Sequence, residues 1–128
     1  LGGEGAARAT GLVLSAMEGK LDGTSLRVPI PTGSVTDFVA VVGRDVTVDE
    51  VNAAFEAAAT DGPMSKVLDY STEPLVSSDI VGTAASCTFD SGLTMTQGSL
   101  VKVLGWYDNE WGYSNRLVDL AAIVGAAG

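Results

Sequence analysis

The chain has 128 residues, 46% of them hydrophobic, and 16 acidic against 7 basic side chains give a formal charge of −9. That length suits one compact domain or a piece of a larger protein, and the acidity argues against a nucleic-acid partner, which would need a basic footprint. A single cysteine and no histidine exclude an internal disulfide, Ser-His and Cys-His nucleophile pairs within the chain, and a histidine-built zinc site, so no metal site is expected.

Residues 6–18, "AARATGLVLSAME", read as a helix: Ala9, Val13 and Met17 share a face at spacing four, and Gly19 is a natural stop. "SLRVPIP" (25–31) and "SVTDFVAVVG" (34–43) read as extended segments. Pro29 and Pro31 bar the first from a plain central strand. The second is apolar on both alternating faces, which predicts a strand buried on both sides. Thr47 and Glu50 form a Thr-x-x-Glu capping box, followed by a face of Val51, Phe55 and Ala58, and "DGP" at 61–63 ends that helix. "KVLDYS" (66–71) and "VSSDIVG" (76–82) read as short strands. "SCTFDSGLTM" (86–95) and "SLVKVLGWYD" (99–108) read as a hairpin joined near Thr96–Gly98. A last helix starts near Gly112, with Tyr113, Leu117, Leu120 and Val124 as its buried stripe. The expected order is α-β-β-α-β-β-β-β-α, an α+β fold with a largely antiparallel sheet and flanking helices.

No apolar run approaches the roughly 20 residues of a membrane span. The opening "LGGEGAARAT" lacks the charged-then-apolar layout of an export signal. The cytoplasm is therefore the expected compartment, with no membrane partner.

Four positions can carry chemistry. Arg27, in the apolar setting "SLRVPIP", is either a surface residue with a packed stem or an anion clamp, since a guanidinium fork matches phosphate bidentately. Gly5 opens the first helix, whose free N–H groups make an anion site possible. "WYDNEWGYSNRLVDL" (106–120) crowds aromatic rings, Asn109 and Glu110 at the end of a strand and the mouth of a helix. The rings are either core anchors with polar tips or the wall of a site. For Trp106 and Tyr107 the anchor reading is preferred. Asn109 offers both a donor and an acceptor, which suits an amide, and Glu110 can orient the loop or cap the helix. Asp49 and Glu50 suit a helix N-terminus, Asp37 should pair with a neighbour, and Arg8 and Arg116 should be solvated or ion-paired.

"LRVPIPTGSVTDF" and "WYDNEWGYSNRLVDL", in this order, resemble glyceraldehyde-3-phosphate dehydrogenase. "GAARAT" before them and "VSSDIV…SCTFDSG" between them are similar to the same family in register, and "ASCTFDSGLTM" with the lack of histidine is closest to its actinobacterial members. The resemblance implies that residues 1–128 are the C-terminal part of the catalytic domain. It places the NAD-binding Rossmann domain, the nucleophilic cysteine motif and the histidine base upstream, and no GxGxxG occurs here. It implies that Arg27 holds the substrate phosphate, that Asn109 hydrogen-bonds the nicotinamide carboxamide of NAD, and that Tyr113 packs beside the nicotinamide. It also implies an inorganic-phosphate site at Gly5 built on a Thr-Gly pair. Glu4 stands where that Thr would be, with the wrong charge and no donor hydroxyl, so a helix start without ligand is the better reading. "AASCTF" around Cys87 imitates the nucleophile motif, but it follows Arg27 instead of preceding it, and its surroundings are a sheet and an acid; a structural cysteine is expected.

The implied whole is a glycolytic, cytoplasmic, homotetrameric enzyme that oxidises and phosphorylates glyceraldehyde 3-phosphate with NAD. This chain alone lacks the nucleophile, base and dinucleotide fold, no residue of it is expected to be catalytic, and its expected partner is the Rossmann-containing remainder or another copy. The competing readings are a non-catalytic module kept for assembly or binding, and a dehydrogenase of another phosphorylated aldehyde such as erythrose 4-phosphate.

Overall fold

The computed structural model describes the backbone of residues 2–127 and the side chains of residues 5–127. In chain order the elements are α1 (Gly2–Val13), a 3₁₀ turn (Ser15–Met17), β1 (Ser34–Val41), α2 (Val48–Thr60), a second 3₁₀ turn (Pro63–Lys66), β2 (Leu68–Ser71), α3 (Ser77–Ile80), β3 (Cys87–Asp90), a third 3₁₀ turn (Ser91–Leu93), β4 (Met95–Gln97), β5 (Leu100–Tyr107) and α4 (Trp111–Ala126). The fold is α+β, as expected. One sheet runs β1-β5-β3-β2 with β4 also on β5. Only β2 and β3 pair in parallel; the remaining ladders are antiparallel. No described helix is long and apolar enough to cross a membrane.

The long β1–β5 ladder is the frame of the sheet. It runs from Ser34 opposite Tyr107 to Val41 opposite Leu100, and Lys102 reaches diagonally to Asp37 at 2.8 Å. The turn from β4 to β5 passes through Gly98, whose φ of 59° is a left-handed conformation that glycine adopts without strain. The core lies where α2 crosses the β2–β3 side. Phe89 is 2% exposed, stacked on Phe55 of α2 with centroids 4.0 Å apart and on Tyr70 of β2 at 5.6 Å. Leu68, Ile80, Ala85 and Val101 complete it. Asp90, also buried, accepts a hydrogen bond from the Trp106 indole at 3.0 Å. The α2 start is as read: Thr47 Oγ1 accepts from Glu50 N, and the Glu50 carboxylate accepts from Thr47 N. Those bonds, with Arg44 alongside, hold the Glu50 carboxyl below the usual range.

The structure differs from the sequence reading in six places, one of them on α4, where the expected buried stripe of Tyr113, Leu117, Leu120 and Val124 is exposed because no described element packs over it. The first helix begins at Gly2 and stops at Val13, and Ala9, Val13 and Met17 are exposed rather than buried. "SLRVPIP" forms no strand; Pro29 and Pro31 remove the donors a ladder needs, and Ile30 N–H turns back to Val28 O at 2.9 Å. β1 is not buried on both faces, because no described element closes over them: Val35, Phe38, Val39 and Val41 are exposed. "VSSDIVG" is a single helical turn, closed by Asp79 accepting from Val76 N at 2.9 Å. "SCTFDSGLTM" is split by the 3₁₀ turn, so that only β4 makes the tight hairpin while β3 crosses to pair with β2.

Candidate functional site

β5 ends at Tyr107 and α4 begins at Trp111, so Asp108, Asn109 and Glu110 make the whole connection. Asp108 fixes it. The side chain is 4% exposed. Its Oδ1 accepts from Glu110 N at 2.9 Å and Trp111 N at 2.8 Å, and its Oδ2 from Gly82 N at 2.9 Å. Those three N–H groups, Trp111 first, hold the carboxyl below its ordinary value; the nearby Thr32 hydroxyl adds to them. Glu110 makes no side-chain cap, so the capping role considered for it belongs to Asp108.

This geometry presents Asn109 outward beside α4. Ser34, the first residue of β1, donates from Oγ to Asn109 Oδ1 at 3.3 Å. That leaves the Asn109 –NH2 to donate to an incoming acceptor. Asn109, Tyr113 and Arg116 line one concavity of about 330 Å³ with Ser86, Tyr107, Asp108 and Gly112. The Tyr113 ring is 64% exposed and supplies a flat apolar wall. Arg116 is held at the lining by two bonds, with Nε donating to Asp119 at 2.8 Å and Nη1 to Ser86 Oγ at 3.1 Å. Gly112 allows this approach: a Cβ there would meet Ala85 O at 2.8 Å.

The structure thus brings Asn109 and Tyr113 together and leaves the other two candidates outside the cavity. Arg27 is exposed, on the irregular segment seven residues before Ser34. Gly5 does not open its helix. It lies within the first turn, exposed, with open space where a side chain would be, and the Glu4 side chain is outside the described residues. Trp106 and Tyr107 are half-buried, whereas Trp111 and Tyr113 are exposed. Ser34, Ser86 and Asp108 escaped sequence reasoning, whereas Arg116 was read as solvated or ion-paired and does pair with Asp119. Asp108 had a usable signal, an Asx residue three positions before the first helical residue. Ser34 had none, because only the β1–β5 register puts it beside Asn109.

Cys87 sits at the head of β3, half-buried, with its thiol pKa pushed up by burial and by the carboxylate of Asp69. A nucleophilic thiol needs the opposite shift. Gly105 faces it on β5, where a Cβ would lie 2.5 Å from the sulfur. Cys87 is a packed part of the sheet.

A family model described as glyceraldehyde 3-phosphate dehydrogenase, C-terminal domain, matches residues 3–109. The chain belongs to this family. It is 64% identical over 122 residues to a glyceraldehyde-3-phosphate dehydrogenase of Streptomyces coelicolor, a match that covers 94% of this chain and 36% of that protein. It is 63% identical to glyceraldehyde-3-phosphate dehydrogenase 2 of Streptomyces avermitilis, with the same coverage. The Mycobacterium avium glyceraldehyde-3-phosphate dehydrogenase is 58% identical over 121 residues, 94% of this chain and 35% of that protein. The chain therefore spans about a third of the length of these glyceraldehyde-3-phosphate dehydrogenases.

Proposed function

We propose that residues 1–128 form the C-terminal part of the catalytic domain of an NAD-dependent, phosphorylating glyceraldehyde-3-phosphate dehydrogenase, working in the cytoplasm as part of a glycolytic homotetramer. The observation that supports this best is the cavity shared by Asn109 and Tyr113, in a chain of this family. A volume of about 330 Å³ is near the lower end for ligand pockets, which suits one ring of a cofactor and not a whole dinucleotide. The donor set fits an amide. With Oδ1 engaged by Ser34, Asn109 donates from Nδ2 to the carboxamide oxygen of nicotinamide, and Tyr113 lies beside the ring. NAD, when bound, supplies the hydride acceptor. This chain orients the ring and shields one side of it from water.

Arg27 binds the phosphate of the aldehyde substrate through its guanidinium fork. The nucleophile and base come from the preceding part of the enzyme. Gly5 is a weak candidate for an anion position, since as the fourth residue of α1 its N–H is used within the helix and it has no side chain to add.

Two measurements test the reading. The purified chain, given glyceraldehyde 3-phosphate, phosphate and NAD, should form no NADH above a blank. Turnover that disappears in Cys87→Ser would make Cys87 the nucleophile and overturn the assignment. In the complete enzyme carrying this segment, Asn109→Ala should raise the KM for NAD about tenfold, the loss of one or two hydrogen bonds, and an unchanged KM would remove Asn109 from the cofactor site.

A further inference from the structure

Asp108 touches more of the site than any capping role requires. One carboxylate oxygen holds the Asn109 turn through Glu110 N and Trp111 N; the other holds the turn after α3 through Gly82 N. A third segment converges on the same place. Thr32 lies five residues after Arg27, and its hydroxyl is buried with no hydrogen-bond partner among the described residues. The next residue, Gly33, has φ +90°, and a Cβ there would sit 3.0 Å from Ser77 O of α3. The Arg27 segment is thus seated against α3 just before it enters β1, and α3 is followed directly by the Gly82 turn. Ser34, one residue later, meets Asn109.

We infer that Asp108 is a positioning residue that clamps the Gly82 turn to the Asn109 turn and, through α3 against which the Arg27 segment is seated, sets the span between the substrate-phosphate group and the nicotinamide-facing amide. This rests on the functional reading above. A site that must hold two ligands in register loses rate and affinity when that span is slack. A carboxylate suits the task, because it accepts from three or four donors at once and contributes none.

The substitution Asp108→Asn makes the test selective. Its oxygen can still accept from Glu110 N and Trp111 N, but its –NH2 would face Gly82 N–H, donor to donor, so the clamp opens on one side only. In the complete enzyme carrying this segment, Asp108→Asn should raise KM for both NAD and glyceraldehyde 3-phosphate about three- to thirtyfold. In an Asn109→Ala background, Asp108→Asn should change the NAD KM by less than about twofold, since its effect passes through Asn109. Amide exchange of the unliganded protein should speed up at Gly82 in Asp108→Asn and stay near native at Glu110 and Trp111. A lowered unfolding temperature with both KM values unchanged would reduce Asp108 to a structural residue. A full additive effect in the Asn109→Ala background would also overturn the clamp. If Asn109→Ala alone leaves the NAD KM unchanged, the cofactor reading fails, and the clamp is then judged by the aldehyde KM: a rise in Asp108→Asn keeps it, and no rise ends it.

Discussion

Two side chains with opposite degrees of attachment carry the residue-scale predictions. Asp108 is buried and bonded on every side; Arg27 stands on an irregular, exposed segment. The Asp108 carboxyl titrates below its ordinary value of 3.8 because backbone N–H groups favour its charged form. A depressed pKa in the folded state contributes stability that is present above the unfolded value, and that stability is lost as pH falls through the lower folded value. The unfolding temperature of the chain should therefore drop more steeply below about pH 4 than that of Asp108→Asn, and the two should converge at the acid end. Parallel curves from pH 6 downward would show that the charge of Asp108 is not what stabilises the turn. For Arg27 the readout is catalytic. A charge-assisted hydrogen bond contributes about 1.5–3 kcal/mol, so Arg27→Ala in the complete enzyme should lower kcat/KM roughly tenfold to a few hundredfold. Lysine should restore only part of it, because it keeps the charge and loses the fork. Plain glyceraldehyde, without the phosphate, should be nearly indifferent; equal damage to both substrates would make Arg27 structural.

At the scale of elements, glycines show where backbone meets backbone. Gly112→Ala would push a Cβ against Ala85 O, 2.8 Å away, where no flexible side chain can yield. Overpacking of this kind costs about 1–3 kcal/mol, more than the helix propensity that alanine adds. The variant should unfold several degrees lower, whereas Gly5→Ala, with nothing within 4 Å, should be neutral or slightly stabilising. Equal behaviour of the two would mean that α4 is not seated on the 83–85 segment. The same contrast between local and distant determinants explains which elements were legible in the sequence. α2 was readable because its capping box and its apolar face are local signals, and the structure reproduces both. β1 was read as a strand correctly but as a buried one wrongly, since apolar residues on both faces say that something covers them and not that this chain does so. "VSSDIVG" misled because its β-branched Val and Ile suit a strand, while the bond from Val76 N to Asp79 that turns it into a helical turn is a capping signal three residues long. In the candidate site, the family motif pointed to Asn109 and Tyr113, but Ser34 depends on strand register and Asp108 on a hydrogen bond from residue 82, far away in sequence.

The whole molecule exposes more than a monomer of its size should. A folded 13.0 kDa protein has an accessible surface of about 6,300 Å² by the usual scaling, against 8970 Å² here. The excess of roughly 2,700 Å² exceeds the surface that one partner contributes to a standard interface, about 800 Å². Much of it is apolar. On the sheet face away from α2, Val35, Val39 and Val41 lie open, at 43%, 53% and 76% exposure. On α4 the residues read from sequence as a buried stripe are all exposed: Tyr113, Leu117, Leu120 and Val124, the least of them 49%. Large apolar residues this exposed, gathered on one sheet face and one helix, are what surface meant to be covered looks like. The two faces should answer to different partners. In the proposed tetramer the sheet meets another copy, and α4, which carries the cofactor wall, meets the remainder of the enzyme. The isolated chain should therefore self-associate at micromolar concentration in sedimentation and bind a hydrophobic dye. Val39→Asp should weaken that self-association and leave capture of a separately expressed N-terminal portion intact, while Leu117→Asp should do the reverse. A monomer that binds no dye at high concentration would contradict the assembly argument, and one substitution abolishing both interactions would show a single shared surface instead of two.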